Sequence, residues 1–308
     1  MKRHTITPLG TPLVALAAVL ALGLSACGDD SESTPATEPT TGETLPPVDT
    51  TPDTTSPDTG PDDTSTDGIQ HPTGAEDVVL QISYEGGFVP VDYAFLNLPS
   101  LLVTGDGREI EQGPQIEIYP GPLLPNMQQR TISEAGIQAL LRLAEEHDLF
   151  RDVEYEDETN IADAPYTVVT ISANGETYVH EAYALGLGGD GTESDEARAQ
   201  LASFVEKASD VATAAGADTL GPQEEFEATS YQFRATVADE TAVEMEPTLV
   251  DWPADAPVRL ADASECATVP AESFRDLFAA ANQLTWFVED GVTYQLVVKP
   301  QLPGVPTC

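Results

Sequence analysis

The sequence predicts an α+β fold: antiparallel sheet packed by about three helices. Three observations predict it. The two-residue signals Asn174-Gly175 and Asp290-Gly291 each lie between runs rich in β-branched and aromatic residues, which is how a β-hairpin reads. Three other stretches repeat apolar residues at helical spacing. A helix followed by a hairpin occurs twice, over 131–184 and over 271–299, and each pairing calls for a helix laid on an antiparallel sheet.

Taken in order, Val78 to Tyr84 is a strand by its β-branched content and near alternation. Gly86-Gly87 turns the chain. Ser100–Thr104 and Arg108–Glu111 flank Gly105-Asp106-Gly107, a hairpin because glycine accepts positive φ. Gln115 to Tyr119 alternates and is expected as a further strand, and the prolines of 120–125 make a loop. Thr131-Ile132-Ser133-Glu134 fits a capping box. Ile137, Leu140, Leu141 and Ala144 then form the apolar stripe of a helix that Asp148 closes. Tyr166–Ser172 and Glu176–Ala184 pair over Asn174-Gly175. A second helix is expected from Ser194 to Ala215, with Ala197, Leu201, Phe204, Val205 and Ala208 on one face. Phe226 to Ala238 reads as one long strand and 240–257 as irregular. Pro270 suits the first turn of a third helix carrying Phe274, Leu277, Phe278 and Ala281. Leu284–Glu289 and Val292–Lys299 form the last hairpin. The folded region thus runs over 77–308, either as one sheet system or as two halves, 77–219 and 220–308.

The segments before residue 77 have a different character. Residues 1–26 have the shape of a secretory signal: Lys2 and Arg3, an apolar run from about Leu13 to Leu24, then small residues. About a dozen apolar residues are too few to span a membrane, which needs about 20 in a helix. Leu24-Ser25-Ala26-Cys27 resembles the lipobox of bacterial lipoproteins. The resemblance implies cleavage before Cys27 and a diacylglyceryl group on its sulfur. It also implies a membrane-anchored, extracytoplasmic protein, since two acyl chains hold where one binds only marginally. The folded region resembles uncharacterised secreted lipoproteins, and no functional residue carries over from that likeness. From Gly28 to Glu76 the chain is Thr, Pro, Asp, Ser, Glu and Gly with hardly an apolar residue. Such a linker cannot offset its ordering entropy by burial. With Cys27 it makes a spacer, 27–76.

Charge narrows the partners. The 308 residues contain 12 Lys plus Arg against 53 Asp plus Glu, a formal net charge of −41. Nucleic-acid binding is excluded, because it depends on Lys and Arg displacing counterions from phosphates. With Cys27 assigned to the anchor, Cys266 and Cys308 remain, an even number in an oxidising compartment, so a disulfide between them is expected.

Catalytic signatures are not found. There is no G-x-S-x-G or S-x-x-K, and Ser172-Ala173-Asn174 stands in a hairpin turn without the other penicillin-binding elements. His147, at a helix end, and His180, in a strand, stand in no zinc-ligand frame. The acidic stretches Asp152–Asn160 and Gly189–Glu196 offer oxygen ligands that calcium favours, yet neither matches an EF-hand. No cofactor is therefore expected, with calcium the one ion to test. What remains is an apolar rim: Tyr93, Phe95, Tyr119, Leu123 and Leu124, aromatics and leucines among prolines in expected loops, suited to a peptide, a glycan or an envelope protein. The expectation is a non-enzymatic binding module; the alternative is an envelope hydrolase using carboxylates that spacing does not single out.

Overall fold

The computed structural model describes residues 68–157, 161–187, 195–239, 241, 245–305 and 307–308. The signal-like segment, Cys27 and residues 28–67 of the linker lie outside them, as do 158–160 and 188–194 of the two acidic stretches. Among the described residues no helix is long and apolar enough to cross a membrane.

Two sheets carry the fold. The first contains β1 (Val78–Gly86), β2 (Leu101–Thr104), β3 (Arg108–Gln112), β4 (Met127–Thr131), β5 (Pro165–Ala173), β6 (Glu176–Tyr183) and β7 (Glu224–Glu225). Its order is β6-β5-β1-β2-β3-β4-β7, antiparallel throughout. The second contains β8 (Ser230–Val237), β9 (Thr248–Asp251), β10 (Ala267–Pro270), β11 (Thr285–Glu289) and β12 (Val292–Pro300) in the order β10-β8-β12-β11-β9. Here β9 runs parallel to β11 and the other pairs are antiparallel. Four α-helices accompany the described strands: α1 (Val91–Phe95), α2 (Glu134–Glu146), α3 (Glu196–Ala208) and α4 (Ala271–Ala279). The fold class is α+β, and both sheets belong to one compact unit.

The hairpin signals act through backbone angles. Asn174 and Gly175 have φ of 54° and 80°, and Asp290 and Gly291 have 51° and 80°. Positive φ at both central residues is the geometry whose twist matches the flanking strands. The helical stripe of α2 is buried as its spacing demands: Ile137, Leu140, Leu141 and Ala144 pack with Leu80, Ile82, Val169 and Ile171. From α3, Leu201, Phe204 and Ala208 complete that layer. The second sheet is packed by α4, whose Phe274 and Phe278 meet Trp252, Phe233 and Phe287; the Trp252 and Phe274 ring centroids are 5.1 Å apart. On the other face of the first sheet, Leu98, Leu102, Ile110 and Met127 are covered by Leu302, which follows β12. Cys266 and Cys308 are joined as a disulfide with their Cα atoms 5.4 Å apart, holding that tail near β10.

Several expectations are corrected. Thr131 is not a helix cap: it pairs with Arg108 at the end of β4, and α2 starts at Glu134 after Ser133 with no side-chain cap. Ladder bonding has claimed the residue the capping box needed. The second helix begins at Glu196 and is α-helical only to Ala208; Ser209 Oγ then donates to the Val205 carbonyl, and a π-turn (Ala212–Gly216) and a 3₁₀ turn (Ala217–Thr219) follow. The long strand from Phe226 is shorter, Ser230–Val237, and Pro270 ends β10 rather than entering the first turn of α4. Residues 240–257 include a strand, β9, drawn into parallel pairing by β11. The expected strand at Gln115–Tyr119 is a loop. The β3–β4 ladder ends at Gln112 and Met127, so no neighbour remains to satisfy its backbone. The segment Tyr93–Leu96, expected as loop, contributes to the short helix α1.

Candidate functional site

Strand direction sorts the connections of the first sheet onto two poles. At one lie the tight turns Gly105–Gly107 and Asn174-Gly175 and the start of β1. The described chain also begins there: Gln70 and Asn174 exchange hydrogen bonds of 3.3 and 2.7 Å, and Gln138 of α2 bonds both the amide and the carbonyl of Ile69. At the opposite pole are the two long connections, 87–100 between β1 and β2 and 113–126 between β3 and β4.

The roots of these two loops are tied together and seated on the second sheet. Gln112 Nε2 donates to the Leu98 carbonyl at 2.9 Å, and Gly113 N donates to Asn126 O at 2.9 Å. In the first loop, Asp92 of α1 lies 3.5 Å from Arg234, and the Lys299 ammonium sits 4.7 Å from the centre of the Phe95 ring. In the second, Gly121 N donates to Gln283 Oε1 at 3.0 Å and Leu123 N to Ala281 O at 3.1 Å.

Between these fixed points the loops present apolar side chains to solvent. Phe88 is 88% exposed, Ile116 76%, Tyr93 70% and Tyr119 65%; Val89, Val91 and Ile118 are exposed as well. Of the residues named from sequence, Tyr93 and Tyr119 therefore stand on this surface, and Phe95 turns inward to the cations. Leu123 is buried in the core of the second sheet and Leu124 packs against it, so the rim loses both. Sequence reading missed Phe88, Val89, Val91, Ile116 and Ile118. Their signal was present: Pro90, Pro114 and Pro120 interrupt runs that otherwise look like strand.

The acidic stretches converge only in part. Glu146, Asp148, Glu154, Glu156, Asp195 and Glu196 line an open cleft of about 690 Å³ together with Arg151. Asp195 is occupied in capping α3 through Arg198 N at 2.8 Å, and Asp148 lies 2.7 Å from Arg151. Among the described residues no group of three or more His, Cys, Asp or Glu side chains is arranged to hold a metal ion. Buried Arg198 pins the loop beneath the cleft by donating to the carbonyls of Glu156 and Tyr183 at 3.0 and 2.9 Å.

Two buried ionisable groups sit within the first sheet. His180 places Nε2 2.9 Å from the Leu149 carbonyl and Nδ1 2.8 Å from the Tyr155 hydroxyl. A carbonyl only accepts, so Nε2 carries the proton and Nδ1 accepts from tyrosine. Burial pushes the imidazole below its ordinary value and the Tyr155 phenol up to about 12. Glu109 is 1% exposed at its side chain and accepts from Arg130 Nε at 2.6 Å. Burial raises its carboxyl against the opposing Arg130 bond. This shielded carboxylate is what a hydrolase would need, but it is held by arginine and does not line the acidic cleft. Comparison with protein-family models, with curated proteins and with solved structures finds no match.

Proposed function

We propose that this chain is a lipid-anchored extracytoplasmic binding module whose contact surface is the apolar loop pole of the first sheet. One observation carries the reading: seven apolar side chains stand exposed on two loops whose roots are locked in place. Exposed apolar side chains gathered at one end of a rigid scaffold mark interaction surfaces, whereas isolated ones need no explanation. The anchor rests on Leu24-Ser25-Ala26-Cys27 and the signal shape before it. The described chain enters the folded region at the pole opposite the rim.

Two measurements test this. Cys27→Ser moves the protein from the detergent phase to the aqueous phase, and intact mass reports two acyl chains on the parent protein. In the unanchored Cys27→Ser background, a Phe88→Ser/Ile116→Ser variant keeps the melting temperature and loses retention on envelopes of the cells that make the protein. Equal retention of the Cys27→Ser protein with and without the two rim changes removes the rim from the account.

A further inference from the structure

We infer that the occupant of the loop pole is a cationic amphipathic segment of another protein, an apolar stripe flanked by Lys or Arg; this rests on the rim being a binding surface. Neither 84–100, which takes in the end of β1 with the first loop, nor the second loop, 113–126, contains a single Lys or Arg. The charges there are Glu85, Asp92 and Glu117, all exposed, and Asp163 adjoins them, its carbonyl lying beside Gly87. Among the described residues only Asp92 of these four has a cationic partner, Arg234 at 3.5 Å. Arg234 and Lys299 lie beneath α1 and answer Asp92 and the Phe95 ring, so the surface combines apolar anchors with three exposed carboxylates, Glu85, Glu117 and Asp163, that no described cation pairs. It sits on a region with 40 acidic and 10 basic residues from position 78 onward.

The same charge argues against the other occupants. A second copy would bring like charge against like, and an anionic lipid surface would be repelled. A cationic amphipathic segment meets both features at once: its apolar face covers Phe88, Tyr93, Ile116 and Tyr119, and its flanking cations meet Glu85 and Glu117. Such an interface is steered by charge and held by apolar contact, so salt slows association more than it speeds release.

The test uses the full chain carrying Cys27→Ser, titrated with two labelled peptides of identical apolar pattern, one built on Lys and Leu, the other on Glu and Leu. Phosphatidylcholine vesicles and a concentration series for self-association are run beside them. The Lys/Leu peptide is expected to bind. Phe88→Ser/Ile116→Ser should weaken it at least tenfold, and Glu85→Gln/Glu117→Gln should weaken it while flattening its salt dependence. Glu145→Gln/Glu206→Gln, on exposed positions of α2 and α3, should leave it unchanged. If the Glu/Leu peptide, the vesicles or a second copy binds as well and that binding needs Phe88 and Ile116, the cationic partner is wrong and the rim survives. If the Lys/Leu peptide weakens equally with the Glu145/Glu206 variant, its binding is diffuse attraction and the inference fails. If no probe depends on Phe88 and Ile116, the rim falls with it.

Discussion

Tyr155 donates its hydroxyl hydrogen to Nδ1 of His180 at 2.8 Å, and the same ring donates from Nε2 to Leu149 at 2.9 Å. The pair clips residues 149–155 onto β6, and it works only with a neutral imidazole, because a proton on Nδ1 would face the tyrosine hydroxyl with donor against donor.

That arrangement makes stability depend on pH in a defined direction. An unfolded chain protonates the ring near pH 6.5; the folded chain does so only at lower pH, since burial depresses the value. Between those points the unfolded state binds more protons, so stability falls as pH drops below about 6.5 and is fully present above it. Asp152, which favours the charged ring, and Arg151, which opposes it, act on the same group less strongly than burial does. Thermal melts at steps from pH 8 to pH 5 are expected to decline more steeply for the parent than for His180→Gln. Parallel curves would count against the clip.

Arg130→Met should be among the most damaging single changes in the first sheet. It strands the Glu109 carboxylate, whose Oε1 already has no hydrogen-bond partner among the described residues. Breaking a buried pair costs about 3–5 kcal/mol, while replacing both partners by apolar groups is often neutral. Glu109→Leu/Arg130→Met is therefore expected to recover most of the loss. The raised carboxyl value gives the sign with pH: a neutral Glu109 is favoured in the folded state, so the single-variant defect shrinks on acidification. Urea titrations of the two variants and the parent at pH 7 and pH 5 read all of this.

Reduction of Cys266–Cys308, or Cys266→Ser/Cys308→Ser, is expected to cost about 2–4 kcal/mol, because the bridge spans a sequence separation of 42 residues. Hydrogen exchange should quicken at Leu302 and Val305, which the bridge holds against the first sheet. Thiol labelling of the unreduced protein should leave both cysteines untouched.

Phe278→Ala should cost about 3–5 kcal/mol, since the ring is fully buried among Tyr231, Phe233, Trp252, Phe274 and Phe287. Phe88→Ala, the same chemistry at an exposed loop position, should stay within about 0.5 kcal/mol. A large stability loss from Phe88→Ala would mean that side chain is packed, not presented.

Legibility in the sequence followed locality. The turns at Asn174-Gly175 and Asp290-Gly291 and the stripes of α2 and α4 were readable because backbone preference and side-chain period reside in consecutive residues. β4, β7, β9 and β10 were not, since each exists through a partner distant in the chain: Thr248–Asp251 becomes strand because β11 lies beside it. The converse error has the same cause. Ile116-Glu117-Ile118 alternates like a strand, but lacks a neighbour to pair with. At the rim, an aromatic residue among prolines reads alike whether it faces out, as Tyr119 does, or packs, as Phe95 does under Lys299. Only the tertiary neighbours separate the two.

Leu302 comes after all twelve described strands, yet it fills the underside of a sheet whose strands end at Glu225. Chain order and core membership are thus out of step: a ribosome that has delivered everything through residue 226 has made a layer still open to water on one flank. A fragment cut there should be sticky and short-lived rather than a free-standing half, and expression of this protein should tolerate truncation at the loop pole far better than loss of its final turn.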